Sequence, residues 1–386
     1  MTYFDYNSTT PLNRAAKDAL FDAVDGQWAN PSSPYKVSAR VRLALDTARE
    51  NLADRLHGKG TGMVFTGGAT EANNSVIRYL AEILPQEKGL AISAIEHPSV
   101  MEPANHFFKG RLDLLPVSPE GVLDVDHLGA VMAAGRPGAV SVMAANNETG
   151  VIQPWDRVGR ICRENGVAYH CDASQWFGKC PNYRFDNCDF LVGCSHKFGG
   201  PKGVGFLALS ENWYGFRSVF GGPQEGGRRG GTENIPGILS MVAALGWADR
   251  HREGMLAQKD HRDVFEDRLI RGIPGLKCVG KSAPRLPNTS FVILPIYENL
   301  RWVTKLDVKG FQVSTGSACA TGKTGRSPTM RAMDFTRGES RRTIRVSSGP
   351  QTGPESWADL AEAFLETWQS LKPDASCDGL TEVISV

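Results

Sequence analysis

Phe190-Leu191-Val192-Gly193-Cys194-Ser195-His196-Lys197-Phe198-Gly199-Gly200-Pro201-Lys202-Gly203 is the stretch that decides the fold. An apolar strand, Phe190 to Cys194, runs into a lysine and then a Gly/Pro turn. A lysine at such a strand end sits near the edge of the sheet. There it can be partly desolvated and its pKa lowered, as an imine-forming lysine requires. A solvated turn lysine would show the same local pattern, so the flanking sequence has to decide.

Upstream, strand-like and helix-like runs alternate. Ala39 to His57 is apolar at helical spacing and stops at Gly58. Met63-Val64-Phe65 is a strand before Gly67-Gly68 and a helix. Leu90 to Ile95, Leu112 to Val117, Ala139 to Ala144 and Val167 to Cys171 read as strands. Pro98 to Phe108, Val125 to Ala134 and Pro154 to Glu164 read as helices between them. Val204 to Leu209 is a further strand. This alternation predicts a mainly parallel α/β sheet. Beyond about Trp247 the pattern changes. A charged helical stretch, Ala248 to Arg271, leads to strands at Thr289 to Leu294 and Thr343 to Val346 and a helix at Glu355 to Leu371. A second, smaller α+β unit is expected there.

Four features of the larger part converge on the carboxyl ends of parallel strands, where open α/β sheets bind ligands. Thr66-Gly67-Gly68-Ala69-Thr70-Glu71 is a strand, a glycine turn and a helix start, which is a ready anion site. It is not a nucleotide P-loop, because no Gly-Lys-Ser/Thr follows. Lys197 is the second feature. Asp172, in Tyr169-His170-Cys171-Asp172-Ala173-Ser174-Gln175, ends a strand and could pair with a protonated pyridine nitrogen. His97, in Glu96-His97-Pro98, could stack on a ring. Simple helix capping would account for Asp172 or His97 taken alone. Together they are the parts of a pyridoxal-phosphate site.

Cys319 belongs to a different kind of segment. Ser314 to Ser327 holds no apolar side chain larger than Ala or Cys. With little to bury, it is expected to be a mobile surface loop. Lys323 and Arg326 would favour the thiolate, which is the nucleophile.

Composition excludes several classes. The 386 residues carry 43 basic and 42 acidic side chains, net charge +1, so no nucleic-acid or membrane-surface partner is indicated. The start of the chain lacks a secretory pattern, and no apolar run approaches the roughly 20 residues of a membrane span. Eight cysteines without a Cys-x-x-Cys pair suit a reducing, cytoplasmic setting. Cys162, Cys171, Cys180, Cys188 and Cys194 match no common metal spacing and are read as buried thiols, with no metal site.

The chain resembles the cysteine desulfurases, class V of the fold-type I pyridoxal-phosphate enzymes, nearly end to end. The resemblance rests on Phe4-Asp5-Tyr6-Asn7-Ser8-Thr9-Thr10-Pro11, Asn30-Pro31-Ser32-Ser33, Gly68-Ala69-Thr70-Glu71-Ala72-Asn73-Asn74 and Glu96-His97. It continues through Asn146-Asn147-Glu148-Thr149-Gly150, Asp172-Ala173-Ser174-Gln175, His196-Lys197, Gly231-Thr232-Glu233-Asn234, Gly316-Ser317-Ala318-Cys319 and Arg345-Val346-Ser347. The cysteine loop is similar to that of the nitrogen-fixation and housekeeping iron–sulfur class.

The resemblance implies a mainly parallel seven-stranded sheet in a large domain, residues 12–250. A small domain would comprise 1–11 and 251–386 and carry the cysteine loop 314–327. It implies pyridoxal 5'-phosphate as cofactor, joined to Lys197 as an imine. His97 would stack on the ring, Asp172 would bind its nitrogen and Gln175 would face its phenolic oxygen. Ala69, Thr70 and His196 would hold the phosphate with Thr232 from the other subunit of a homodimer. Asn147 would lie by the cofactor and, with Asn7 and Arg345, bind substrate; Arg suits a carboxylate through its planar fork. L-cysteine would give alanine and a persulfide on Cys319, passed to an acceptor protein in iron–sulfur assembly, tRNA thiolation or another thio-cofactor route.

The chain also departs from the family. Cys194 stands three before Lys197, where the family usually has a phosphate-binding Ser, and Ser195 follows it. Phosphate binding is thereby shifted onto Ser195 or weakened. Tyr35, Ser38-Ala39 and Gly230 also differ, and Ser376 to Val386 lacks the His-rich ending of scaffold-docking members. A selenocysteine lyase or another class V lyase or aminotransferase would need no mobile nucleophilic cysteine. A non-enzymatic homologue would not need Lys197, Asp172, His97, Arg345 and Cys319 together.

Overall fold

The computed structural model describes residues 1–56, 62–181, 184–213, 215–316 and 327–371. Twelve strands are formed among these residues: β1 (Thr2–Tyr3), β2 (Gly62–Thr66), β3 (Gly89–Ser93), β4 (Leu112–Leu115), β5 (Pro137–Ser141), β6 (Ala168–Asp172), β7 (Phe190–Cys194), β8 (Gly205–Leu209), β9 (Lys277–Cys278), β10 (Thr289–Ile293), β11 (Phe311–Gln312) and β12 (Thr343–Ser347). Seven of them make the main sheet, in the order β2-β8-β7-β6-β5-β3-β4. β8 runs antiparallel to both of its neighbours, and the remaining pairings are parallel. The expected mainly parallel seven-stranded sheet is therefore present.

β3, β6, β7 and β8 are buried at every position. Helices cover both faces, which is why these strands read as continuous apolar runs rather than alternating ones. β7 carries Gly193 because a Cβ there would meet the Phe206 ring at 2.2 Å. On one face, Val76, Ile77 and Leu80 of the helix Ala69–Ile83 join Val100, Ala104 and Phe108 against Val64, Ile92 and Val192. On the other, the helices Lys36–Leu56 and Ile235–Arg250 supply Val41, Leu45, Leu52, Ile238 and Met241.

A second core surrounds the three-stranded sheet β12-β10-β9. It contains Phe265, Leu269, Val292, Trp302, Ile344, Trp357 and Phe364. The start of the chain belongs to it: β1 pairs with β11, Asp5 bridges Ser347, and Phe4 is fully buried. Burial of that one ring contributes about 1.5–3 kcal/mol towards holding the segment that carries Asn7.

The expected single helix Ala248–Arg271 is instead two helices, Ile235–Arg250 and Arg252–Gly272, meeting at His251. The first was missing from the sequence reading. It is apolar around most of its circumference, so it lacks the one-sided period that marks a surface helix.

Candidate active site

The carboxyl ends of β2, β7, β6, β5 and β3 lie along one edge of the main sheet, and each leads to a residue expected in the site. Cys194 closes β7, and a single 3-10 turn, Ser195–Lys197, follows it. Lys197 Nζ donates to the main-chain oxygens of Asn7 and Ser8, both at 2.7 Å. Burial lowers its pKa to about 8, with Arg345 pushing the same way and Asp172 opposing. An amine in that range is available unprotonated near neutral pH, as a nucleophile or proton acceptor needs.

Asp172 ends β6 and is nearly buried. Its Oδ1 accepts from the Ser174 N–H at 2.9 Å and its Oδ2 from Asn73 Nδ2 at 2.8 Å. Asn73 Nδ2 also donates to Ser99 Oγ, so its Oδ1 is the atom that meets His170 Nε2 at 3.1 Å. His170 is buried and held neutral, its pKa lowered to about 4 by burial. Its Nδ1 accepts from Ser141 Oγ at 2.8 Å, which leaves the proton on Nε2 to donate to Asn73. This chain of partners fixes the carboxylate. Nothing local in the sequence marks Asn73 as the residue that holds Asp172.

His97 caps the helix Pro98–Phe107, its Nδ1 accepting from the Ser99 N–H. Burial lowers its pKa and so favours the neutral ring. Gln175 is buried, with Nε2 donating to Asn7 O at 2.9 Å. His196 Nδ1 lies 3.1 Å from Thr9 Oγ1, and burial lowers its pKa to about 4.

β2 runs into the helix Ala69–Ile83, whose N-cap is Gly68 at φ 141°, a left-handed backbone that favours glycine. Gly68 has no side chain to cap this helix. The N–H of Thr70 is thus left for an anion, with the helix dipole in support, while that of Ala69 meets Cys194 Sγ. Cys194 Sγ interacts with the N–H groups of Ala69 and His196. Ser195 Oγ instead packs against Gly200 and is buried without a hydrogen-bond partner among the described residues. It is Cys194, not Ser195, that stands against the helix N-terminus.

Arg345, on β12, reaches the same edge. Its Nη2 pairs with Asp5 Oδ1 at 2.6 Å, and its Nη1 donates to the main-chain oxygens of Asn147 (2.9 Å) and Gly316 (3.2 Å). Its buried Nε has no partner among the described residues. Asn7 is 1% exposed, and its amide is spent on protein groups: Oδ1 on Lys179 and Nδ2 on Thr289 Oγ1. That placement ties Asn7 to both lysines, through Oδ1 to Lys179 and through its main-chain oxygen to Lys197. Thr232 is exposed.

Cys319, Lys323 and Arg326 lie outside the described residues, as does Ser376 to Val386. The chain enters the cysteine-bearing segment at Gly316, bonded to Arg345. Ser327, which follows that segment, donates from its Oγ to Glu148 Oε2 at 2.7 Å. No group of metal-ligating side chains occurs among the described residues. No described helix is long and apolar enough to cross a membrane.

A model of the aminotransferase class-V family matches residues 2–355. A cysteine desulfurase of Enterobacter agglomerans is 35% identical over 349 residues, 89% of this chain and 87% of the relative. A NifS-like protein from Rickettsia africae superposes with a TM-score of 0.86 at 26% identity, covering 96% of this chain and 99% of that one. A structure described as SspA in complex with cysteine matches with a TM-score of 0.78 at 28% identity, over 92% of this chain and all of the other.

Proposed function

We propose that this chain, which belongs to the class-V aminotransferase family, is a cysteine desulfurase that moves the sulfur of L-cysteine onto Cys319. The observation that carries the reading is Lys197. It is a buried amine with pKa lowered to about 8, held at a strand end by two main-chain oxygens.

The cofactor of this family is pyridoxal 5'-phosphate, and the described residues fit it. The uncapped start of the helix Ala69–Ile83 suits a phosphate. Asp172, with both oxygens held by donors, suits a protonated ring nitrogen. Lys197 would hold the group covalently, His97 would lie on the ring, and Gln175 would face the phenolic oxygen. Ala69, Thr70, Cys194 and His196 would surround the phosphate, with Thr232 of a second copy completing the cradle. When bound, the group supplies an electron sink that acidifies the Cα–H of an attached amino acid.

The protein's own groups do the rest. Arg345 receives the substrate carboxylate, with Asn147 beside it. Lys197 Nζ accepts the Cα proton and returns protons to carbon. The Cys319 thiolate attacks the substrate sulfur. The Cβ–S bond breaks as the S–S bond forms, Cβ keeps the electron pair and is protonated, and alanine leaves. The persulfide then goes to an acceptor protein, as iron–sulfur assembly or thiolation of a cofactor or tRNA would require. We further assign residues 12–250 to a large unit and 1–11 with 251–386 to a small one, in a cytoplasmic homodimer.

The test is sulfide and alanine release from L-cysteine under a reductant. Cys319→Ala is expected to retain the visible band of the bound cofactor and to lose nearly all sulfide release. Sulfide release at the wild-type rate from Cys319→Ala would refute the persulfide route and leave a lyase of the same family in its place.

A further inference from the structure

Lys179 lies 2% exposed beside Lys197 and has no part in the chemistry above. Its Nζ donates to Asn7 Oδ1 at 2.8 Å and to Gln175 Oε1. Both partners are amide oxygens, not carboxylates. Burial, together with the positive Lys197, pushes its pKa well below the ordinary lysine value. A lysine kept in such a place without an ionic partner is costly, and a core position would be better served by an apolar side chain.

What Lys179 does is visible in the orientation of two amides. A lysine presents two or three N–H donors whichever its protonation, and here they are met by Gln175 Oε1 and Asn7 Oδ1. With its oxygen held there, Gln175 turns its –NH2 towards Lys197. One N–H goes to Asn7 O at 2.9 Å, the same carbonyl that receives Lys197 Nζ at 2.7 Å. The second N–H of Gln175 remains for a ligand. Asn7 is pinned in turn by Lys179 at one end of its amide and Thr289 at the other.

We propose that Lys179 is a positioning residue. It locks the Gln175 and Asn7 amides so that the Gln175 –NH2 offers a donor to the phenolic oxygen of the cofactor ring and Asn7 O stays aligned with Lys197. This rests on the pyridoxal reading of the site. A purely structural lysine would affect folding and leave the ionisation of the bound cofactor alone.

The experiment is a pH titration of the visible absorbance of protein loaded with pyridoxal 5'-phosphate, for wild type, Lys179→Met, Gln175→Met and the double variant. Loss of a donor to the phenolic oxygen lets the bound group hold its proton to higher pH. Each single variant is expected to move the midpoint up by about half to one pH unit, the size of one lost hydrogen bond. The double variant is expected to move it no further than the larger single change, because both act through one contact. Lys179→Gln keeps a neutral donor and is expected to move the midpoint less than half as far as Lys179→Met. An unmoved midpoint in Lys179→Met, or shifts that simply add in the double variant, would overturn the proposal. If methionine is not tolerated at 179, a glutamine variant shifted by a full unit overturns it as well. Crystals of the apo-protein supply an arm that needs no cofactor: Gln175 should leave its place in Lys179→Met, and its staying there counts against the role. Failure of the underlying reading would look different, as a wild type with no visible band at all.

Discussion

Two buried sets of cations in this molecule are handled in opposite ways. Beside the small sheet, Arg285 makes two parallel bonds to Glu266, at 2.7 and 2.9 Å, with both side chains almost wholly buried. At the edge of the main sheet, Lys179 and Lys197 are also buried, yet their amines meet only neutral oxygens of Asn7, Ser8 and Gln175. The first arrangement neutralises charge where it is buried. The second leaves two amines under desolvation, which lowers their pKa values. Desolvation that is matched by a counter-ion serves the fold, and desolvation left unmatched makes a base.

The largest effect should come from breaking the unmatched side. Lys197→Met is expected to lower the rate of desulfuration by about 10²–10⁴-fold or more, the usual worth of a positioned base. Its stability to urea should change less than that of the next variant. Glu266→Gln strands the Arg285 charge and should cost about 3–5 kcal/mol of stability, with turnover per folded molecule kept. Replacing both partners, by Glu266→Leu with Arg285→Met, should recover most of that loss. If Lys197→Met proved the more destabilising of the two, or Glu266→Gln lost turnover per folded molecule, the contrast between the sites would fail. Smaller in size is the pH dependence of cofactor capture by the apo-protein. The amine reacts only unprotonated, so a folded pKa lowered to about 8 puts the rise in rate below that pH. Capture should increase about tenfold per pH unit up to about 8 and then level. A rate still climbing at pH 10 would mean that Lys197 is an ordinary exposed lysine.

The sequence carries the two kinds of site unequally. The strand ends that lead to Asp172, Lys197 and His97 were readable because buried parallel strands are continuous apolar runs with turn residues after them. Lys179 was not, since its partner Asn7 is 172 residues away. The one local signal was its i, i+4 spacing from Gln175. Asn7 is brought to the lysines by β1 pairing with β11, by Asp5 bridging Ser347 and by Thr10 bonding to His196, contacts between distant parts of the chain that no local pattern announces. The antiparallel β8 could not be told from its parallel neighbours, because burial on both faces erases the alternation that marks direction. Cys319 is a candidate nucleophile on composition, as a thiol in a stretch with nothing to bury, and it lies outside the described residues.

The smallest expected effect tests a third arrangement, the anion cradle, which is built mainly of main chain. Cys194 Sγ lies against the N–H groups of Ala69 and His196. A thiol is a weaker donor than a hydroxyl, and burial raises the pKa of this one. It can therefore give a phosphate little. The neighbouring hydroxyl cannot substitute, because Ser195 Oγ lies where a Cβ on Gly200 would be only 2.0 Å away. Cofactor retention must then lean on the helix N-terminus and the covalent bond to Lys197. Cys194→Ser should slow cofactor loss by about 2–10-fold, one modest hydrogen bond, as read by the decay of visible absorbance during dialysis. The same substitution in a Lys197→Met background should give a gain of similar size, since the phosphate contact and the amine act at opposite ends of the ligand. A serine variant that lost cofactor faster would show that the thiol's weaker polarity is required at that helix end, and the main-chain cradle would not be sufficient by itself.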